Sequence, residues 1–505
     1  MNDRTRGGEV LSVDDRIRGR QILITGTTGY IGKVLLERVM AEVPGVGVLH
    51  LLVRANRNHS TARERFVNEI AASSVFDGQR QASPGGFAAF CEAQVRCVTG
   101  EITQQQFGLS DADYAELVCS VDAVVHVAAS VNFREGLDQA LQINTLCLQH
   151  MVQFARDAGD IPFVHVSTCY VNGKNPGDQR EGNVAPAGAD MPLHPDGHYE
   201  VEQLIELLQR RIAEVLAAHG DETREEALTS LGVEEANRHG WRDVYTFTKW
   251  MGEQVLRQRL RGSTLTIVRP SIVGSCHTHP TPGWIEGIKV TDTLLLAYAR
   301  GKLSFFPARK HGVIDYVPAD FVANALIMAL AEALGDAREH RIYQVCTGAA
   351  NPVTVGQFIE HLTSEVRDNH ARYPALCRAA PKGPFRSVPK DVFLVAMRAV
   401  RRPLAAVDRV LAWLGRAPLP ALAVVDKTIV LSDVFSPYSS PDYIFHGTAL
   451  AALSRRLAPD EHSRFPVDPR IINWEHYLRD VHVSGVDRYG MASRRSYSAV
   501  KSSAL

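Results

Sequence analysis

QILITGTTGYIGKVLLERVM, residues 21–40, decides the fold. An apolar run, Gln21 to Gly26, reads as a strand, and a helical pattern begins at Lys33 and reaches Glu42. Between them lies TGTTGYIG, with glycines at 26, 29 and 32. Strand, glycine-rich turn and helix in that order build a dinucleotide phosphate site. Gly26 permits the tight turn, Gly29 lets the backbone approach a pyrophosphate, and Gly32 lets helix and strand pack closely. Thr25, Gly26, Thr28, Gly29, Tyr30, Ile31 and Gly32 are therefore candidate cofactor-binding residues.

Outward from this turn, VLHLLVR (48–54) is a second strand that ends on Arg54, with Arg57 close behind. An NAD site would place a carboxylate there for the ribose 2′-hydroxyl. A guanidinium instead pairs with a 2′-phosphate, so Arg54 points to NADPH. Further strands are expected at 95–100, 123–129, 162–168 and 265–274, apolar on both parities as strands buried on two faces should be. Strands alternating with helices predict an α/β, doubly wound parallel sheet of Rossmann type. A helical insertion interrupts it at about 193–240, where Val201, Leu204, Leu208, Ile212, Val215 and Leu216 recur at helical spacing. After about 350 the strand–helix rhythm stops, and a C-terminal, mainly helical region of 351–505 is expected. Residues 1–14 are polar and read as a loose tail before a catalytic domain of 15–350.

The 505 residues are 45% hydrophobic and 22% charged, the balance of a globular chain. A net charge of −1 offers no long-range attraction for nucleic acid. Eight scattered cysteines without a C-x-x-C pair predict free thiols in a reducing compartment and no metal centre. The first fifteen residues lack an apolar signal segment, and no stretch is long and apolar enough to span a bilayer, so a cytoplasmic location is expected. One stretch complicates this. Residues 388–425 mix apolar residues with Arg398, Arg401, Arg402, Arg409 and Arg416, which reads as packed helix with a solvated arginine face, a coenzyme A contact or a peripheral membrane contact.

Chemistry enters with VYTFTKW, where Tyr245 and Lys249 lie four apart and so share a helix face. An ammonium beside the phenol is expected to lower its pKa towards neutrality and make it a proton donor or acceptor.

With these residues the chain resembles the extended short-chain dehydrogenases, and more closely the fatty acyl-CoA reductases. The resemblance is carried by ITGTTGYIGKVLLE, LLVRANRNHSTARERF, VVHVAASVNF, VHVSTCYVNG, VYTFTKW, IVRPSIVGS, PTPGWIEG and IDYVPADFVANALI, and near the end by RIINWEHYLRDVHVSGVDRY. It runs from about residue 20 to 490, dense over the first 350. The resemblance implies Tyr245 as the catalytic tyrosine, Lys249 as the lysine that also holds the nicotinamide ribose, and Thr168 as the hydroxyl partner, with Ser167 the alternative. It also implies cofactor contacts from Ala128, between Val127 and Ala129, and from Asn144, Pro270 and Ser271. The implied reaction is NADPH-dependent reduction of a long-chain fatty acyl-CoA to the alcohol through a fatty aldehyde, with coenzyme A released. Cys169 beside Thr168 offers a covalent alternative that leaves Tyr245 and Lys249 without a task. A related reductase stopping at the aldehyde, or taking a steroid, flavonoid or nucleotide sugar, is the rival, and a non-catalytic dinucleotide sensor ranks below it. A long acyl chain needs an apolar enclosure, expected from the insertion and the region after 350, with Trp284 and Phe305 near its mouth or wall.

Overall fold

The computed structural model describes residues 10–492, apart from 134, 189 and 336. Seven strands form one parallel sheet: β1 (Ile22–Thr25), β2 (Leu49–Val53), β3 (Val95–Thr99), β4 (Ala123–His126), β5 (Phe163–Val166), β6 (Leu265–Pro270) and β7 (His340–Val345). Their spatial order is 3-2-1-4-5-6-7, so the order reverses between β1 and β4. That switch point opens a crevice at the carboxyl ends of the strands, where such sheets hold ligands. The six expected strands are present, each shortened at its ends, and the sheet is the doubly wound one expected. β7 carries Arg341 and Gln344 among its apolar residues, and this polarity masked it in the sequence.

α1 (Tyr30–Glu42) follows β1 directly. The insertion is a helical hairpin, α2 (Glu202–Ala218) and α3 (Asp221–His239), that ends where Gly240 takes the left-handed φ of 102°. Leu204, Leu208 and Ile212 enter the same hydrophobic cluster as Phe247 and Trp250 of α4 (Val244–Arg259). The apolar face of α2 is therefore spent on packing, and it does not supply the wall of an acyl enclosure. α5 (Val290–Ala299), α6 (Ala319–Ala333), α7 (Val355–Asp368), α8 (Lys390–Trp413) and α9 (Pro420–Ser439) complete the longer helices used below.

Two compact units divide the chain. The first comprises residues 1–284, 316–350 and 445–471, and the second 285–315, 351–444 and 472–505, so the cuts differ from a single boundary at 350. The first unit contains the sheet, α1 to α4 and α6, which is buried along its whole length. Its N-terminal edge corrects the expectation of a loose tail through residue 14. Leu11 and Val13 are buried, and the Glu461 carboxylate accepts the Val13 and Asp14 amides at 2.8 and 2.9 Å. Residues 1–9 lie outside the described residues. In the second unit, α8 and α9 pack side by side, with Phe393 and Met397 buried against Phe306. The buried His482 donates through Nε2 to the Asp292 carboxylate at 3.0 Å, tying residues near the chain end to α5. Phe305 packs edge-on to Phe393 inside this unit.

Candidate active site

The phosphate turn owes its shape to two glycines. Gly26 has φ +77°, and a Cβ there would stand 2.5 Å from the Ala128 nitrogen and 2.7 Å from the Val127 carbonyl carbon. A Cβ on Gly32 would lie 2.7 Å from Thr27 Cα, so α1 packs onto the turn only because that atom is missing. Gly29 is exposed at the N-cap of α1, where the first helical amides have no carbonyl partners of their own and suit an anion. Thr25 Oγ1 accepts the Ala128 amide at 3.2 Å, which ties the ends of β1 and β4 together. Thr28 is half-buried in the turn, beside Gly29. Tyr30 is fixed by stacking on Trp284 at 5.5 Å, and its hydroxyl donates to the Gly274 carbonyl at 2.7 Å. Ile31 is half-buried in the first turn of α1. Trp284 is thus a buried prop behind the phosphate turn, donating to Ser74 at 3.0 Å, and not the mouth of an enclosure.

Three buried hydroxyls, Thr27 Oγ1, Ser167 Oγ and Ser271 Oγ, have no partner among the described residues. They follow β1, β5 and β6, at the strand ends where a dinucleotide lies. Unpaired buried donors are costly, so these residues fit a polar ligand in the crevice. Arg54 stands at the end of β2, two-thirds exposed, with Glu101 at 3.7 Å. Asn144 is held within the protein: its Oδ1 accepts the Ser130 amide, and its Nδ2 donates to the Ser130 carbonyl and Thr248 Oγ1, each within 3.1 Å. It braces the chain after β4 against α4. Pro270 ends β6, and its carbonyl accepts from Thr168 Oγ1 at 3.3 Å.

α4 begins at Asp243, whose side chain accepts the Thr246 amide at 2.8 Å and sets Tyr245 in the first turn. Thr168 lies beside the Tyr245 hydroxyl, close enough to pull on its proton, and the Tyr245 ring meets Phe133 edge-on at 5.5 Å. Burial, with Asp243 adding to it, pushes the phenol pKa up, against a smaller opposing pull from Thr168. The expected lowering by Lys249 is therefore corrected. Lys249 turns its ammonium to the strand beneath, donating to His165 Nε2 at 3.0 Å and to the Val166 carbonyl at 2.7 Å. Tyr245 is a neutral phenol here, ready to donate. Cys169 donates its thiol to the Arg269 carbonyl at 3.0 Å in a buried position, which does not suit a nucleophile.

The histidines under Lys249 were not anticipated. Thr25, His126 and His165 lie directly opposite one another on the adjacent strands β1, β4 and β5. Thr25 Oγ1 and His126 Nδ1 are 2.9 Å apart, and the His126 and His165 rings stack at 5.4 Å. Burial takes the His126 pKa down to about 3 and holds His165 well below its usual range, so both are neutral. The sequence signal was present: VVHVAA and FVHVST each put a lone polar residue inside an apolar strand. Burial also lowers the Lys249 pKa to about 8, against the opposing pull of Glu253. The unfolded lysine titrates near 10.4. Below pH 8 both states carry the charge and the fold bears its burial cost. Between these values the folded chain sheds the proton first, so that cost fades as pH rises. The stability of the protein relative to Lys249→Met should therefore rise by about 2–3 kcal/mol from about pH 7 to about pH 10. Chemical denaturation of both proteins across that range checks this, and a flat difference would contradict it.

Among the described residues one group of ligand-type side chains comes together, His194, Asp196 and His198. Asp196 is already bridged there by Arg261 at 2.6 Å and His194 at 3.1 Å.

Comparison with known proteins fixes the kinship. Residues 24–326 match the NAD-binding family model described as male sterility protein, and residues 401–493 match a second model of that description. The alcohol-forming fatty acyl-CoA reductase of Simmondsia chinensis is 30% identical over 95% of this chain and 98% of its own length. The chain belongs to the fatty acyl-CoA reductase family. A probable fatty acyl-CoA reductase 5 of Arabidopsis thaliana is likewise 30% identical, covering 93% and 97% of the two chains. Among solved structures, the terminal R domain of the myxalamid pathway aligns over 93% of this chain and 90% of its own with a TM-score of 0.55, at 18% identity, a likeness of fold. As a member of this family the chain is a reductase and binds a nicotinamide dinucleotide. Sequence reading named Thr168, Tyr245 and Lys249; the geometry around them adds His126, His165 and Phe133.

Proposed function

We propose that this reductase converts long-chain fatty acyl-CoA to the fatty alcohol through the aldehyde, using NADPH and releasing coenzyme A. The observation that carries the reading is the Tyr245–Thr168 hydroxyl pair at the carboxyl end of β5, in a chain of this family. When bound, NADPH supplies the hydride. The Tyr245 hydroxyl then donates to a carbonyl oxygen, and Thr168 joins it by turning its one hydrogen away from the Pro270 carbonyl, since donors aimed at developing charge are worth most where water is excluded. At the aldehyde stage Tyr245 gives up its phenolic proton to the alkoxide, and Thr168 holds the phenol in line. Lys249, anchored by His165 and Val166, keeps one ammonium hydrogen for the nicotinamide ribose. Cys169 takes no part.

The reading extends to a reducing compartment such as the cytoplasm, which the eight free cysteines support. It extends also to peripheral contact with membranes, since substrate and product are lipids. The second unit holds an apolar hollow of about 70 Å³, lined by Leu294, Leu295, Phe306, Phe358, Ile359 and Leu362 among others. Each buried methylene contributes about 0.8 kcal/mol, so affinity should climb with chain length until the room is filled. NADPH oxidation with palmitoyl-CoA and with acetyl-CoA, products identified by mass, tests this. Palmitoyl-CoA should be far the better substrate and should yield hexadecanol, and comparable efficiency on the two would refute the long-chain reading.

Preference for NADPH rests on Arg54. Its replacement by aspartate should raise the KM for NADPH by roughly tenfold or more, since one charge-assisted hydrogen bond contributes about 1.5–3 kcal/mol. An unchanged ratio of NADPH to NADH efficiency in Arg54→Asp would remove the assignment.

A further inference from the structure

Eight of the sixteen large hydrophobic side chains exposed among the described residues lie between 392 and 424, on α8 and the start of α9. Their spacing on α8 is regular. Val392, Val395, Ala399, Ala406, Val410 and Trp413 follow one another at three, four or seven residues, which makes a single stripe along the helix. Val400, Val407 and Leu414 each come one residue after a stripe position and widen it on one side. Arg398 and Arg409 each come one residue before a stripe position, Arg402 lies between them on that side, and all three are exposed. The stripe is not the core face. Phe393 and Met397 are the buried residues of α8, and they point elsewhere round the helix. At the far end Trp413 is 83% exposed, just before the turn to α9 that carries Arg416.

Charge selects the occupant. From 390 to 426 there are six lysines and arginines against three aspartates, in a chain whose overall balance is −1. Two of those aspartates are engaged within the hairpin, Asp408 with the Leu419 amide and Asp426 with Arg401, both at 2.6 Å. The third, Asp391, is exposed at the start of α8. An apolar stripe edged by arginines and ended by a tryptophan matches the boundary between lipid headgroups and acyl chains. Guanidinium groups reach anionic headgroups there while their stems lie on apolar surface. Among the described residues no helix is long and apolar enough to cross a membrane, so the fit is to lying on the surface.

We infer that the exposed face of α8 is a docking surface for anionic lipid bilayers, seating Val395, Val410 and Trp413 in the interface with Arg398, Arg402 and Arg409 at the headgroups. It rests on the lipid-reductase reading for its purpose, since an enzyme whose substrate and product partition into bilayers gains by standing on one. Its test is independent of that reading. The purified protein is sedimented with vesicles of phosphatidylcholine containing phosphatidylglycerol, and with vesicles of phosphatidylcholine alone, at low and high salt. The wild type should bind the anionic vesicles and release them as salt rises. Val395→Asp combined with Val410→Asp should weaken that binding by roughly tenfold or more, because charge at an apolar contact is strongly disfavoured in lipid. Arg402→Glu with Arg409→Glu should do the same, whereas Val233→Asp, at an exposed valine on α3, should bind like wild type. NADPH-dependent reduction of a water-soluble aldehyde, measured without vesicles, should be unchanged in all of them and shows that they are folded. Failure of the wild type to sediment with anionic vesicles, or equal binding by the Val395/Val410 variant, overturns the proposal. So does a wild-type dimer in gel filtration that this variant dissociates, since the stripe would then be an interface between copies. Activity on palmitoyl-CoA without vesicles reads the function separately from any of these results.

Discussion

Tyr245→Phe should lose turnover by roughly 10²–10⁴-fold, the usual contribution of a positioned proton donor, while still binding the cofactor. The substitution removes one oxygen and little else. The ring stays against Phe133, and the helix still starts at Asp243, whose side chain caps the Thr246 amide. Thr168 keeps its bonds to the Tyr170 amide and the Pro270 carbonyl, so the strand end is not released. Because burial raises the phenol pKa, the wild-type hydroxyl is protonated throughout the neutral range, and what the variant lacks is a donor and not a base. Single-turnover reduction of an aldehyde, beside a titration of NADPH fluorescence, separates the two effects. Substantial turnover in the variant would mean that another group supplies the proton.

Glu253→Gln is expected to be the most destabilising of the conservative changes near the site. Glu253 and Arg269 form a two-pronged pair at 2.9 and 2.5 Å, both fully buried, and Arg269 also donates to the Gly182 carbonyl at 2.9 Å. The pair fastens α4, which carries Tyr245 and Lys249, to β6. Glutamine keeps the shape and leaves a buried guanidinium without a counter-charge, at a cost of about 3–5 kcal/mol. Replacing both partners with apolar residues, Glu253→Leu with Arg269→Met, should recover much of that loss, since neither charge is then stranded. Denaturant midpoints of the three proteins check this, and a double variant less stable than Glu253→Gln would contradict it. Glu253 also raises the Lys249 pKa, so Glu253→Gln should shift the lysine titration downward.

The sheet was legible because most of its strands are buried on both faces and carry mainly apolar runs, and the phosphate turn because only glycine fits where Gly26 passes the chain at 128. The Tyr245–Lys249 pair was legible as a helix spacing, but its electrostatics were not. Spacing puts two side chains on one face and says nothing of what else competes for an ammonium, and here His165 and the Val166 carbonyl, on a strand about eighty residues away, win it. His126 and His165 become neighbours only through the register of β4 and β5, which no local pattern encodes. Asn144 shows what a resemblance leaves out: it implied a cofactor contact, and the bonds of its amide to Ser130 and Thr248 come only from the fold. The hairpin after Thr168 was visible from its periodicity, although the pattern could not say whether its apolar face met protein or ligand.

The way residues 445–471 return to the first unit bears on how the chain is made. Glu461 and Arg464 clasp Val13, Asp14 and Glu42 near the start of the chain, through bonds that span more than four hundred residues. A ribosome releases the N-terminal strands long before it releases their clasp. The dinucleotide fold must therefore wait, incompletely closed, while the intervening second unit emerges. Contacts of such long range slow folding and lengthen the time that apolar surface stands exposed to other chains. Expression yield should consequently respond more to growth temperature and chaperone supply than the finished stability would suggest, and shortened versions ending before residue 471 should aggregate instead of giving a smaller enzyme.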